Sequence, residues 1–120
     1  MLRVVIADDS RVMRQIIIRT LRQAGYDWDI TEASDGDLAL DIVTQERPDL
    51  VLSDWNMPSM NGIDLLRALR ANGDDVPFAF ITSESSAEMR QQAESAGALF
   101  LIAKPFTADS FRDAIEPVLA

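Results

Sequence analysis

Apolar residues fall along this chain in two rhythms. Short, nearly unbroken runs at Arg3 to Ala7, Ile30 to Ala33, Leu50 to Ser53, Phe78 to Ile81 and Leu99 to Ala103 alternate with longer stretches whose apolar positions return every three or four residues. The first pattern predicts strands and the second predicts helices that bury one stripe. The stripes are Met13, Ile16, Ile17, Leu21 and Ala24; Leu38, Ala39, Ile42 and Val43; Ile63, Leu66 and Leu69; and Phe111, Ala114, Ile115, Val118 and Leu119. A further helix is expected over residues 87 to 96, where Met89 is the only bulky apolar residue, so its packing should be the weakest of the five.

The punctuation agrees with these elements. Gly25, Asn72-Gly73 and Gly97 stand where helices end, Ser34-Asp35-Gly36 opens the second helix, and Pro48 bars it from continuing. Thr107 reads as the N-cap of the last helix, and Pro117 limits its final turn. Five strands alternating with five helices through short loops predict an α/β fold, a doubly wound parallel sheet with helices on both faces. The second strand carries Thr31 and Glu32 and is therefore an edge. A strand order of 2-1-3-4-5 follows, with its switch point between the first and third strands. Residues 1–120 read as one domain, with no linker, internal repeat or low-complexity tract.

Composition narrows the chemistry. Twenty acids against eleven bases leave a net charge of −9, which a phosphate backbone would repel, so no nucleic-acid binding is expected and a partner with a basic patch is favoured. Cysteine and histidine are absent, which removes disulfides, zinc sites, thiol nucleophiles and any phosphohistidine of the chain's own. The apolar run at the start is too short for a signal peptide or a membrane span, so a cytoplasmic protein without membrane association is expected.

Polar residues gather just past the strands. Asp8 and Asp9 follow the first, Asp54 the third, Thr82 and Ser83 the fourth and Lys104, the only lysine, the fifth. Taken singly each has a structural reading: Asp9 or Ser10 as a helix cap, Thr82 as an ST-turn, Lys104 as a solvated charge. Together they are harder to dismiss, because two carboxylates about 4 Å apart repel by roughly 4 kcal/mol at an effective dielectric near 20. Three acids and one lysine leave a deficit that a divalent cation would balance, and all-oxygen ligands point to Mg²⁺ rather than zinc. An Asp nucleophile, a hydroxyl and a lysine point charge are what phosphoryl transfer to a carboxylate requires. Whether Asp9 or Asp54 is the nucleophile is left open by the residues alone.

The motifs Asp8-Asp9-Ser10, Asp54-Trp55-Asn56-Met57-Pro58, Thr82 and Lys104-Pro105-Phe106 resemble those of receiver domains of two-component response regulators, especially the single-domain chemotaxis type, and the resemblance covers the whole chain. It implies a flavodoxin-like fold, with Asp54 as phosphoacceptor and Asp8, Asp9, Asp54 and the Asn56 backbone carbonyl as ligands of Mg²⁺. Thr82 and Lys104 would contact the phosphoryl group, and Asn56 and Glu84 would modulate dephosphorylation. Family members often carry Tyr or Phe three residues before the lysine as part of the switch with Thr82, whereas this chain has Leu101.

The function so implied is a phosphorylation-controlled switch. A histidine kinase or phosphotransfer protein donates the phosphoryl group, and affinity for a downstream protein changes, in chemotaxis or as a phosphorelay intermediate. Enzymatic activity would be confined to the chain's own phosphorylation and dephosphorylation. Transcriptional control by the chain itself is not expected, because no output domain follows residue 120. A phosphohydrolase with an aspartyl nucleophile, resembling the haloacid dehalogenase family, would need an Asp-x-Asp pair after the first strand and a cap or longer chain, and neither is present. A pseudo-receiver acting only as an interaction module fits poorly with a complete acid pocket. Flavin binding lacks a Thr/Ser/Gly-rich phosphate loop after the first strand.

Overall fold

In the computed structural model, which describes residues 2–119, the elements run β1 (Arg3–Ala7), α1 (Arg11–Gln23), β2 (Asp29–Ala33), α2 (Gly36–Glu46), β3 (Leu50–Ser53), α3 (Gly62–Ala71), β4 (Phe78–Thr82), α4 (Ala87–Ser95), β5 (Leu101–Ala103) and α5 (Ala108–Leu119). The strands form one parallel sheet in the order β2-β1-β3-β4-β5, as expected. Because strand side chains alternate between faces, the sheet has two cores. Val5, Val51, Phe78 and Phe80 point to the side covered by α2, α3 and α4. Val4, Ile6, Leu52 and Ile81 point to the side of α1 and α5, where they meet Ile17, Leu21, Phe111 and Ile115. β3 and β4 are buried along their whole length, β1 all but its first residue, and β2 is the half-exposed edge.

Three expectations are corrected. β4 reaches Thr82, which pairs with Ala103, so Thr82 is the last strand residue rather than the first loop residue. β5 is Leu101–Ala103, shorter than the expected Leu99 to Ala103, although the Leu99 N–H already donates to the Phe78 carbonyl at 2.8 Å and the Phe100 carbonyl accepts from the Phe80 N–H at 3.0 Å. α4 closes just before, with Gly97 at a left-handed φ of 99° and the Ala98 N–H on the Ala93 carbonyl. Ile16, Leu38, Val118 and Leu119 are exposed. The first two flank the sequence positions that point inward, and the last two lie on the turn of α5 beyond Ile115. α5 ends at Leu119, two residues past Pro117, as expected. The weak packing of α4 is as predicted: Ala93 is its one buried residue, with Met89 partly buried against the core. Thr107 caps α5, its Oγ1 accepting from the Ser110 N–H at 3.2 Å while Ser110 Oγ accepts from the Thr107 N–H at 3.1 Å.

Candidate functional site

Parallel pairing places Asp8 and Asp54 side by side. The Asp8 N–H donates to the Ala33 carbonyl of β2 at 3.0 Å, and the Asp54 N–H donates to the Ala7 carbonyl of β1 at 2.8 Å. Both acids thus leave the sheet at the switch point, where this class of sheet opens a crevice. Lys104 arrives from the other edge, its N–H bonded to the Thr82 carbonyl at 2.8 Å and its peptide to Pro105 cis.

The ammonium closes the site. Lys104 Nζ donates to Asp8 Oδ2 at 2.9 Å and to Asp54 Oδ2 at 3.1 Å. The lysine side chain is 13% exposed and Asp8 only 1%. The second oxygens are held by backbone: Ser10 N–H on Asp8 Oδ1 at 2.8 Å and Trp55 N–H on Asp54 Oδ1 at 2.7 Å. Asp9 is exposed, yet a carboxylate oxygen from each of Asp8, Asp9 and Asp54 lies within 4.8 Å of the others. Three hard oxygen donors converging with one ammonium are a donor set that fits Mg²⁺.

Burial raises the Asp54 pKa above the carboxylate norm, although Lys104 pulls it back. Burial alone would lower the Lys104 pKa, but bonding to Asp8 and attraction to Asp54 and Asp8 outweigh it and leave the value raised. The sign for stability differs between the two. Lys104 contributes stability that is present below its unfolded pKa and is lost as pH rises through the higher folded value. Ionised Asp54 costs stability at neutral pH, and that cost is relieved as pH falls through its raised pKa. In EDTA, Asp54→Asn is therefore expected to unfold at a higher temperature than the wild type at pH 7, with the gap narrowing on acidification. Calorimetry checks this, and a less stable variant at pH 7 would contradict it.

Asn56 and Glu84 meet across the mouth, Nδ2 to Oε1 at 3.0 Å. Thr82 is fully buried and its hydroxyl makes no hydrogen bond to the Asp54 or Lys104 side chain; its Oγ1 accepts from the Glu84 N–H at 3.2 Å. Leu101 pairs with Phe80 and lies partly buried against the α4 side of the sheet. The residues singled out from sequence thus form one pocket, Asp8, Asp9, Asp54 and Lys104, with Asn56 and Glu84 at its rim and Thr82 behind.

The loop that carries Asp54 depends on two further residues, Gly62 and Ser53. Gly62 closes it by donating its N–H to the Trp55 carbonyl at 2.7 Å, and a Cβ on Gly62 would stand 2.1 Å from the Asp54 carbonyl oxygen. Ser53 Oγ donates to that same carbonyl at 2.8 Å. The stretch Met57 to Gly62 reads as turn chemistry, and in the structure Asn61 caps α3, but close backbone approach leaves no separate mark.

A doubly wound sheet with this acidic, lysine-closed crevice defines a class, the receiver modules of two-component signalling. Residues 4–116 match the family model described as the response regulator receiver domain, and the chain belongs to that family. It is a CheY-like receiver domain of a two-component response regulator. It is 38% identical over 119 residues to the chemotaxis protein CheY of Pseudomonas aeruginosa, covering 98% of this chain and 95% of that one. It is 36% identical over 117 residues to sporulation initiation phosphotransferase F of Bacillus subtilis, covering 98% and 93%. The high-resolution structure of the chemotaxis response regulator CheY4 of Vibrio cholerae superposes with a TM-score of 0.85 at 32% identity over 98% of both chains. Among the described residues no helix is long and apolar enough to cross a membrane.

Proposed function

We propose that Asp54 accepts a phosphoryl group from a phosphohistidine of a partner protein and that the modified chain changes its affinity for a downstream protein. The observation that carries this reading is the single ammonium shared by the Asp8 and Asp54 carboxylates at the switch point of the sheet. Asp8, Asp9, Asp54 and the Asn56 backbone carbonyl would hold Mg²⁺, which when bound neutralises phosphoryl oxygens. A carboxylate oxygen of Asp54 attacks phosphorus in line, the donor's P–N bond breaks, and the histidine leaves with its electron pair. Lys104 stays beside the acceptor as a fixed positive charge, and the Trp55 N–H keeps the carboxylate oriented. Water later attacks phosphorus, returning inorganic phosphate and the free carboxylate. The chain so acts only on itself.

Asn56 and Glu84, bonded to each other at 3.0 Å, would modulate the attack of this water. Self-dephosphorylation within seconds to minutes is expected from radiolabel decay, and a half-life of many hours would contradict the role given to this pair. Thr82 would give up its bond to the Glu84 N–H and turn its hydroxyl to the phosphoryl group. α4, with one buried residue, is the element such a change can shift. Leu101 cannot donate a hydrogen bond, so its part in the switch would be steric, filling space that Thr82 vacates.

Trp55 offers the test. It is buried beside the acceptor, with its ring centroid 4.8 Å from that of Phe80, whereas Trp28 precedes β2, at the amino end of the parallel strands and away from the site. Beryllofluoride with Mg²⁺ should change tryptophan emission in the wild type and not in Asp54→Asn or Trp55→Phe. A full response in Asp54→Asn would overturn the proposal. A relay intermediate is the second reading, favoured by the likeness to the Bacillus subtilis phosphotransferase. Rapid return of the phosphoryl group from Asp54 to a second phosphotransfer protein would select it.

A further inference from the structure

Arg14 lies outside the pocket yet touches it. On the inner flank of α1, with 12% of its side chain exposed, it donates from Nη1 to the Asp8 backbone carbonyl at 2.6 Å and from Nε to Glu32 Oε1 at 2.9 Å. Glu32 sits on the edge strand β2, paired with Ile6 of β1, and takes longer contacts of 3.3 and 3.4 Å from Gln15. One planar guanidinium therefore ties three elements together at the point where the chain turns from β1 into the acidic pair.

The carbonyl it holds is well placed to matter. The Asp8 N–H is fixed by Ala33, and its two carboxylate oxygens by the Ser10 N–H and Lys104. The remaining freedom is rotation of the peptide between Asp8 and Asp9. That rotation decides where Asp9 points and whether the Ser10 N–H reaches Asp8 Oδ1. Its carbonyl end is what Arg14 grips.

We infer that Arg14, anchored by Glu32, is a positioning residue for the cation site, locking the Asp8–Asp9 turn so that both carboxylates face Asp54. The inference rests on the proposed Mg²⁺ role of these acids. Supporting groups around a metal site commonly set its affinity by an order of magnitude or more. An ammonium keeps the charge but cannot span both partners as the fork does, so Arg14→Lys separates geometry from charge.

The experiment has a metal arm and a metal-free arm, on variants whose thermal unfolding shows that they fold. By titration calorimetry, Arg14→Lys should bind Mg²⁺ about 10-fold or more weakly than the wild type. Glu32→Gln should weaken binding less, and the double variant no further than Arg14→Lys, since both residues act through one contact. In metal-free protein, the Ser10 amide should exchange faster in Arg14→Lys. Wild-type affinity with unchanged Ser10 exchange would overturn the inference. If the wild type itself binds no Mg²⁺, the proposed metal role fails, and Ser10 exchange alone decides the inference: faster exchange upholds the positioning of the turn and unchanged exchange refutes it.

Discussion

Lys104→Met is expected to slow phosphoryl uptake from acetyl phosphate by about 10²- to 10³-fold, the loss typical of removing one preorganised charge stabiliser. The side chain reaches two carboxylates, one of them 1% exposed, so its removal also leaves like charges facing each other without their counterion. Removing one partner of a buried pair costs about 3 to 5 kcal/mol, whereas an exposed pair contributes little. In EDTA the variant should unfold well below the wild type, with part of the loss recovered in Lys104→Met/Asp54→Asn, which removes one of the two unpaired acids. The stability difference should shrink at alkaline pH, above the raised Lys104 pKa, where the wild type loses the same charge. Thermal unfolding and intact-mass kinetics read both effects. Wild-type uptake by a folded Lys104→Met would remove the lysine from the proposed mechanism.

Gly62→Ala should damage the site through backbone alone. An exposed helical Gly→Ala change ordinarily gains up to about 1 kcal/mol. Here the new Cβ would meet the Asp54 carbonyl oxygen at 2.1 Å and Phe80 Cε1 at 2.9 Å. Phe80 is fully buried, so neither neighbour can yield without moving β3 or the β4 core. Overpacking of this kind costs about 1 to 3 kcal/mol, and the displaced Asp54 peptide should carry the acceptor away from Lys104. The expected result is a lower unfolding temperature together with phosphoryl uptake reduced at least about 10-fold, since small displacements of reacting groups are costly. Wild-type stability and rate in the Gly62→Ala variant would show that the close approach is not needed.

The strand order and the acidic pocket were legible in the chain because both rest on local signals. Short unbroken apolar runs and stripes that return every three or four residues mark the elements, and polar Thr31 and Glu32 mark the edge, so Asp8, Asp54 and Lys104 fall at one end of the sheet by counting. What lay hidden depends on contacts between distant residues. Nothing in Ile16 or Leu38 as residues distinguishes a flank from an inward position, and only the helices' seating on the sheet exposes them. Thr82 looked like loop because Thr-Ser-Glu-Ser-Ser is polar, yet its pairing with Ala103 makes it strand. Arg14 carries no local mark of its role, since its partner Glu32 lies 18 positions away. The choice of Asp54 over Asp9 as nucleophile came from family resemblance. In the structure Asp54 is the acid that shares Lys104 with Asp8, while Asp9 is exposed and makes no described ion pair.

The most direct measurement is the site of modification. The protein is incubated with acetyl phosphate and Mg²⁺, weighed intact, and the acyl phosphate is trapped by borohydride reduction before peptide mapping. A single phosphoryl group located at Asp54, absent in excess EDTA and absent in Asp54→Asn, is the predicted result. A phosphoryl group that maps to Asp9 or Asp8, or that persists in Asp54→Asn, would contradict the account.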